Sequence, residues 1–175
     1  MRRTAGAAVG VGAVLAAALA LAWGAGLVEL PGEDRHEAAV VTVSDPNGTR
    51  VATVDARVAD TRKERIRGLS GTDRLANGSG MLFVHPRNGT HGYVMRGMAY
   101  PLDIVFVAPC ETCGPGVDGR VTVVRHAPVP PPGASSPTYE GRGRWVLEVP
   151  RGYADARGID AGDHVRIRYG TPAGG

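Results

Sequence analysis

Two acidic residues stand where acids are costly. Asp103 falls inside the β-type run Leu102–Val107, on the strand face it shares with Val105 and Val107; Glu148 falls inside Arg144–Val149, beside Val146. A carboxylate in an apolar strand is partly desolvated, which raises its pKa and suits it to proton transfer. If the two strands meet, Asp103 and Glu148 could form a catalytic pair or the floor of a polar pocket, with Arg65 orienting a carboxylate. The structural alternative is a buried carboxylate paired with Arg65, or one whose oxygens hold the amides of a turn. Ligand contacts are expected from Tyr93, Met95, Asp103, Tyr139 and Glu148.

A second cluster is soft. His91, Met95 and Met98 combine imidazole with thioether, a set that suits Cu(I), while His85 and His126 lie elsewhere. In a strand His91, Tyr93 and Met95 share one face, and Met98 joins them only through a turn at Gly97. Met is equally an ordinary core filler. Cys110 and Cys113 are the only cysteines. A redox Cys-x-x-Cys needs its first Cys at a helix N-terminus, which Gly114-Pro115-Gly116 disfavours, and one pair supplies half of a zinc site. In an oxidising compartment the pair reads as a small disulfide stiffening a hairpin tip. Tyr139-Glu140-Gly141-Arg142-Gly143-Arg144 could grip a sugar or an anionic polymer, or form a turn that pins a loop back on the domain. There is no phosphate loop, serine elbow or His-Glu-x-x-His motif, and no cofactor is expected.

The elements that must position these residues are short. Gly (26) and Pro (13) are abundant, which predicts many strands and tight turns rather than a helical bundle. Strands are expected at Ala38–Val43, Arg50–Ala59, Gly80–Val84, Gly92–Met95, Leu102–Val107, Arg120–Arg125, Arg144–Val149 and His164–Tyr169. Thr61-Arg62-Lys63-Glu64 has capping-box form and opens a short helix that Gly68 would close. A second is expected from Arg151 to Arg157, and Ala127–Pro137 reads as an extended, proline-rich surface loop. The fold expected for 38–169 is one mainly β domain, a small β-barrel-like sheet with one or two short helices.

Four phrases carry a family resemblance. They are Ala59-Asp60-Thr61 with Glu64-Arg65 and Gly68-Leu69; Gly80-Met81-Leu82-Phe83; Pro101-Leu102-Asp103-Ile104-Val105-Phe106; and Trp145-Val146-Leu147-Glu148-Val149-Pro150 leading to Gly162-Asp163. In this order and spacing, over roughly residues 40–169, the chain resembles the domain of unknown function numbered 192. These are small exported or membrane-tethered β-rich proteins. The resemblance implies a compact barrel-like fold and brings no reaction, ligand or cofactor. It also marks a departure: members often show Phe-Trp-Met-Lys-Asn-Thr where this chain has Tyr93-Val94-Met95-Arg96-Gly97-Met98, so a site using that Trp and Asn would be altered here.

The chain's address is written at its start. Arg2 and Arg3 precede an uncharged run from Thr4 to Val28. As a helix this run spans about 37 Å, against a hydrocarbon core of roughly 30 Å. Residues 1–28 thus read as a membrane anchor with the paired arginines inside, or as a signal peptide cleaved near Ala20-Leu21-Ala22; either exports the rest. Residues 29–37 read as a linker and 170–175 as a disordered tail. Asn47-Gly48-Thr49, Asn77-Gly78-Ser79 and Asn88-Gly89-Thr90 are sequons, each also a favoured hairpin turn. The net charge of +3 is scattered and aromatics are 5%, which speaks against nucleic acid. The expected role is an extracytoplasmic binding or accessory module of the cell envelope, meeting a polysaccharide, a lipid headgroup or a protein. An enzyme using Asp103 and Glu148, or a copper protein using His91, Met95 and Met98, are the alternatives.

Overall fold

The computed structural model describes residues 36–170. The predicted anchor at 1–28, the linker up to Arg35 and the tail beyond Gly170 lie outside the described residues. None of the helices among the described residues is long and apolar enough to cross a membrane.

Seven strands and two short helices make up a mainly β domain: β1 (Ala38–Ser44), β2 (Arg50–Ala59), α1 (Arg62–Arg67), β3 (Ser79–Tyr93), β4 (Leu102–Pro109), β5 (Gly119–Ala127), β6 (Tyr139–Pro150), α2 (Tyr153–Arg157) and β7 (His164–Tyr169). The hydrogen-bonded order is β1-β2-β3-β6-β4-β5-β7, and β7 pairs with β1 again. The ladder joining β5 to β7 is short, Gly119↔Val165 and Arg120↔His164. The β1–β2 hairpin turns at Asp45-Pro46-Asn47-Gly48, where Asp45 accepts from the amides of Asn47 (2.9 Å) and Thr49 (2.8 Å) and Gly48 takes φ 88°. That is the side-chain-closed turn its sequence predicts.

β2 and β3 run parallel, so the chain between them must cross over, and α1 lies in that crossover. Thr61 and Glu64 form the anticipated capping box: Glu64 N donates to the Thr61 hydroxyl (3.2 Å), and Thr61 N donates back to the Glu64 carboxylate (3.0 Å).

Two apolar clusters lie on the two faces of the sheet. One face gathers Val41, Val54, Leu82, Val105, Leu147, Val149 and Ile167, closed at one end by Tyr153 and Ala154 of α2. The other gathers Phe83, Leu102, Ile104, Phe106 and Val146 with Leu69 and Met95 from the segments that cover it. Leu102–Val107 of β4, Gly80–Phe83 of β3 and Trp145–Val149 of β6 are therefore buried on both sides, which explains their near-continuous apolar runs.

Three expectations need correction. The strands expected at Gly80–Val84 and Gly92–Met95 are one 15-residue strand, β3. Asn88-Gly89 is consequently not a hairpin turn but strand, and Gly89 is not among the glycines with positive φ. Tyr139–Arg144 is not a turn: it is the first half of β6, paired along Gly89–Tyr93, with Glu140, Arg142 and Arg144 exposed. The two errors have one cause. Each segment is rich in glycine and looks like a breaker alone, and each supplies the other's hydrogen bonds.

Candidate functional site

Asp103 and Glu148 do sit on neighbouring strands. The register pairs Asp103 with Val149 and Ile104 with Glu148. Directly opposed residues share a face and successive ones alternate, so the two carboxylates lie on opposite sides of the sheet. The expected catalytic pair does not form.

Asp103 is fully buried and saturated. It accepts from Gly152 N (2.9 Å) and Ala154 N (3.0 Å) at the start of α2, from Arg151 Nη1 (3.2 Å), and is paired with His126 Nδ1 (2.7 Å). This is the alternative in which a carboxylate holds turn amides. Its work is to fasten α2 over the end of the first core.

Glu148 is the opposite case. It is 7% exposed, yet it makes no hydrogen bond or ion pair among the described residues, and burial pushes its carboxyl up to about 8. It is therefore protonated at neutral pH. Arg65, offered by the sequence as a possible partner for a buried carboxylate, forms no ion pair here: Arg65 Nη1 donates to the carbonyls of Asp60 and Val84, the latter at 2.8 Å.

Glu148 opens into a cavity of about 340 Å3 on the second face of the sheet. α1 and the following turn (Arg65–Ser70) form one wall, β3 supplies Phe83, His85, His91 and Tyr93, and Val94–Met98 with Leu102 complete the lining. The volume is at the small end for ligand pockets. Of the expected contacts, Tyr93, Met95 and Glu148 meet here, as do His91, Met98 and Arg65; Asp103 and Tyr139 do not line it.

His85 is the lining residue that sequence reasoning placed elsewhere. Val84 pairs with Trp145 and Gly89 with Gly143, so residues 85–88 of β3 stand opposite Arg144 alone. This bulge, with Pro86 inside it where no ladder bond is required, folds His85 back onto His91. The two rings stack at 3.5 Å with planes 9° apart. His85 Nε2 meets the Tyr93 hydroxyl at 2.9 Å, while His91 Nε2 is buried without a partner. Burial first, then His91 and Arg65, holds His85 down at about 4, so it is neutral at pH 7. Burial also drives the Tyr93 hydroxyl upward, with Glu148 adding to the rise and Arg65 opposing it. No group of three or more His, Cys, Asp or Glu converges among the described residues as a metal cluster would.

Cys110 and Cys113 are joined as a disulfide at the tip between β4 and β5, and neither lines the cavity. Arg120 Nη2 lies 3.5 Å from Cys113 Sγ and 3.8 Å from Cys110 Sγ.

The family model DUF192, described as an uncharacterised ACR, matches residues 42–167, which takes in every strand and both helices at least in part. The chain belongs to DUF192. Two solved structures share the domain's fold. A suggested transcription regulator from Sinorhizobium meliloti 1021 aligns at 22% identity and TM-score 0.63, covering 78% of this chain and 98% of its own. A protein of unknown function from Novosphingobium aromaticivorans DSM 12444 aligns at 27% identity and TM-score 0.61, covering 79% and 91%. No curated protein matches this DUF192 chain.

Proposed function

We propose that this DUF192 protein is a binding module for a small ligand, and that the ligand occupies the cavity between α1, β3 and Glu148. The observation that carries the reading is Glu148 itself. A carboxyl buried in apolar surroundings without a hydrogen-bond partner is an expense that a folded protein keeps where a ligand supplies the missing contact. On the same wall, His91 Nε2 is a buried polar atom with no hydrogen-bond partner. The barrel-like closure of the sheet belongs to the same reading: a two-sided scaffold holds β3 and Glu148 while α1 and Val94–Met98 close over them.

The test is a fragment screen by protein-observed NMR. Hits are expected to shift resonances of Val94–Met98 and Glu148, and to be lost when Met98→Trp fills the mouth. Hits that map elsewhere, or none at all, would remove the cavity from consideration.

The same reading sets the module outside the cytoplasm, tethered by the uncharged run Thr4–Val28, as an accessory component of the envelope. Polysaccharide, lipid or protein partners there fit an exported domain without nucleic-acid features. Protease added to intact cells should digest the C-terminal domain; its survival in intact cells but not in lysates would place it inside.

A second reading has one specific support. His91, Met95 and Met98 all line the cavity, and a soft ion is a chemically apt partner for the orphaned His91 Nε2. Elemental analysis of protein purified with copper should then return about one ion per chain, as a closed soft-ligand site implies. A metal-free protein ends it.

A further inference from the structure

We infer that the occupant of this cavity is a small organic carboxylate with an apolar body, gripped by the guanidinium of Arg65. The inference rests on the cavity being the binding site, as proposed above, and adds the chemistry of what it takes.

Arg65 is held before any ligand arrives. It extends from α1, whose first turn is fixed by the Thr61–Glu64 box, and its Nη1 is tied to two main-chain carbonyls. The other edge of the guanidinium, Nε with Nη2, has no partner among the described residues. Those two parallel N–H donors match the two oxygens of a carboxylate, a geometry that a lysine could not supply. Arg67 and Arg96 stand on the same lining, exposed, and none of the three arginines forms an ion pair among the described residues. Glu148 is the sole acidic residue of the lining. At neutral pH it is an O–H donor rather than a charge, so the cavity presents positive charge with no fixed negative charge opposing it.

The remainder of the site asks for carbon. Phe83, Met95 and Leu102 are buried beneath it, while Ile66 and Val94 leave apolar surface at the rim, 72% and 42% exposed. A cation would meet three like charges, and a fully polar anion would leave this apolar lining uncovered.

Three probes of one shape and different charge test the assignment: phenylacetate, phenylacetamide and 2-phenylethylammonium. Each is titrated into the full-length chain in lipid nanodiscs, with protein-free discs as the blank, and followed by ligand-observed NMR. Phenylacetate is expected to bind at least about tenfold more tightly than the other two, and Arg65→Gln to abolish the preference. Because Arg65 also ties down Asp60 and Val84, a second variant guards against mere unfolding. Around Glu148, the directly opposed residues Met81 and Ile104 are apolar, and the titratable or charged groups of the lining are Tyr93, His85, His91, Arg65, Arg67 and Arg96. Ionised Glu148 would repel the bound carboxylate, so wild-type affinity falls as pH rises through about 8, whereas Glu148→Gln stays level across that range. Equal or tighter binding of the amide or the ammonium overturns the carboxylate assignment and leaves the cavity a binding site. A preference that survives Arg65→Gln overturns Arg65 as the anchor. Failure of all three probes overturns the inference, and the fragment screen then decides separately whether the cavity binds anything.

Discussion

Asp103 and Glu148 lie on paired strands one position out of register, and their carboxyls stand on opposite sides of the sheet. The same functional group therefore sits in two different states on adjacent strands: the Asp103 carboxyl is saturated by partners, the Glu148 carboxyl has none among the described residues. Removing Asp103 should accordingly be a structural injury. Asp103→Ala strands the amides of Gly152 and Ala154 and leaves Arg151 and His126 without their buried partner, a loss of roughly 3–5 kcal/mol. Urea unfolding should show the midpoint falling with little change in slope. A variant as stable as wild type would show that α2 is held by something else.

Glu148→Gln should change how stability responds to pH. The folded carboxyl holds its proton up to about 8, against 4.5 for the free group, so the native state binds the proton more tightly than the unfolded chain. Wild-type stability should decline as pH rises from 4.5 through about 8, by about 5 kcal/mol in all. His85 acts with the other sign: its depressed value means stability that is full above 6.5 and lost as pH falls toward 4. Above 6.5, then, only Glu148 contributes slope from this pair. Chemical denaturation at stepped pH should give a wild-type decline that the glutamine variant lacks.

The capping box predicts a link between helix and site. Thr61→Ala removes the hydroxyl that accepts from Glu64 N and should cost about 1 kcal/mol. Because Arg65 lies one turn along α1, phenylacetate binding should weaken by more than the stability loss explains at saturating folded protein. Unchanged affinity would show Arg65 to be fixed by its two carbonyl contacts alone.

Gly141 predicts a packing failure. A Cβ at this position would collide with the Phe106 ring, which packs edge-on against Tyr93 at 5.8 Å. Gly141→Ala should destabilise the domain by roughly 1–3 kcal/mol, the range for overpacked cores. It should also displace Tyr93, which thermal unfolding and aromatic NMR shifts would report together.

That glycine also explains where the sequence is hard to read. β1, β2 and β7 show alternation bounded by turn residues, and α1 shows its capping box, so their physics is local and legible. The second half of β3 and the first half of β6 are not. Gly89, Gly92, Gly141 and Gly143 look like turn residues, yet at Gly141 and Gly143 the missing side chain makes room for Phe106 and for the Val107 backbone. That demand comes from β4, a partner distant in sequence. The site divides in the same way. Glu148, Arg65, Tyr93 and the His91–Met98 cluster stand out by residue type, but only the β3–β6 pairing brings them to one cavity. His85 depends on a bulge that no local pattern announces.

All but two of the cavity-lining residues, Leu102 and Glu148, fall between positions 65 and 98. One uninterrupted stretch of the chain thus supplies nearly the entire cavity lining, while the framework strands β1, β5 and β7 contribute none of it. Because that stretch also carries β3, whose ladders to β2 and β6 hold the sheet together, the freedom to diversify the lining is confined to α1, the turn after it and the segment Val94–Met98.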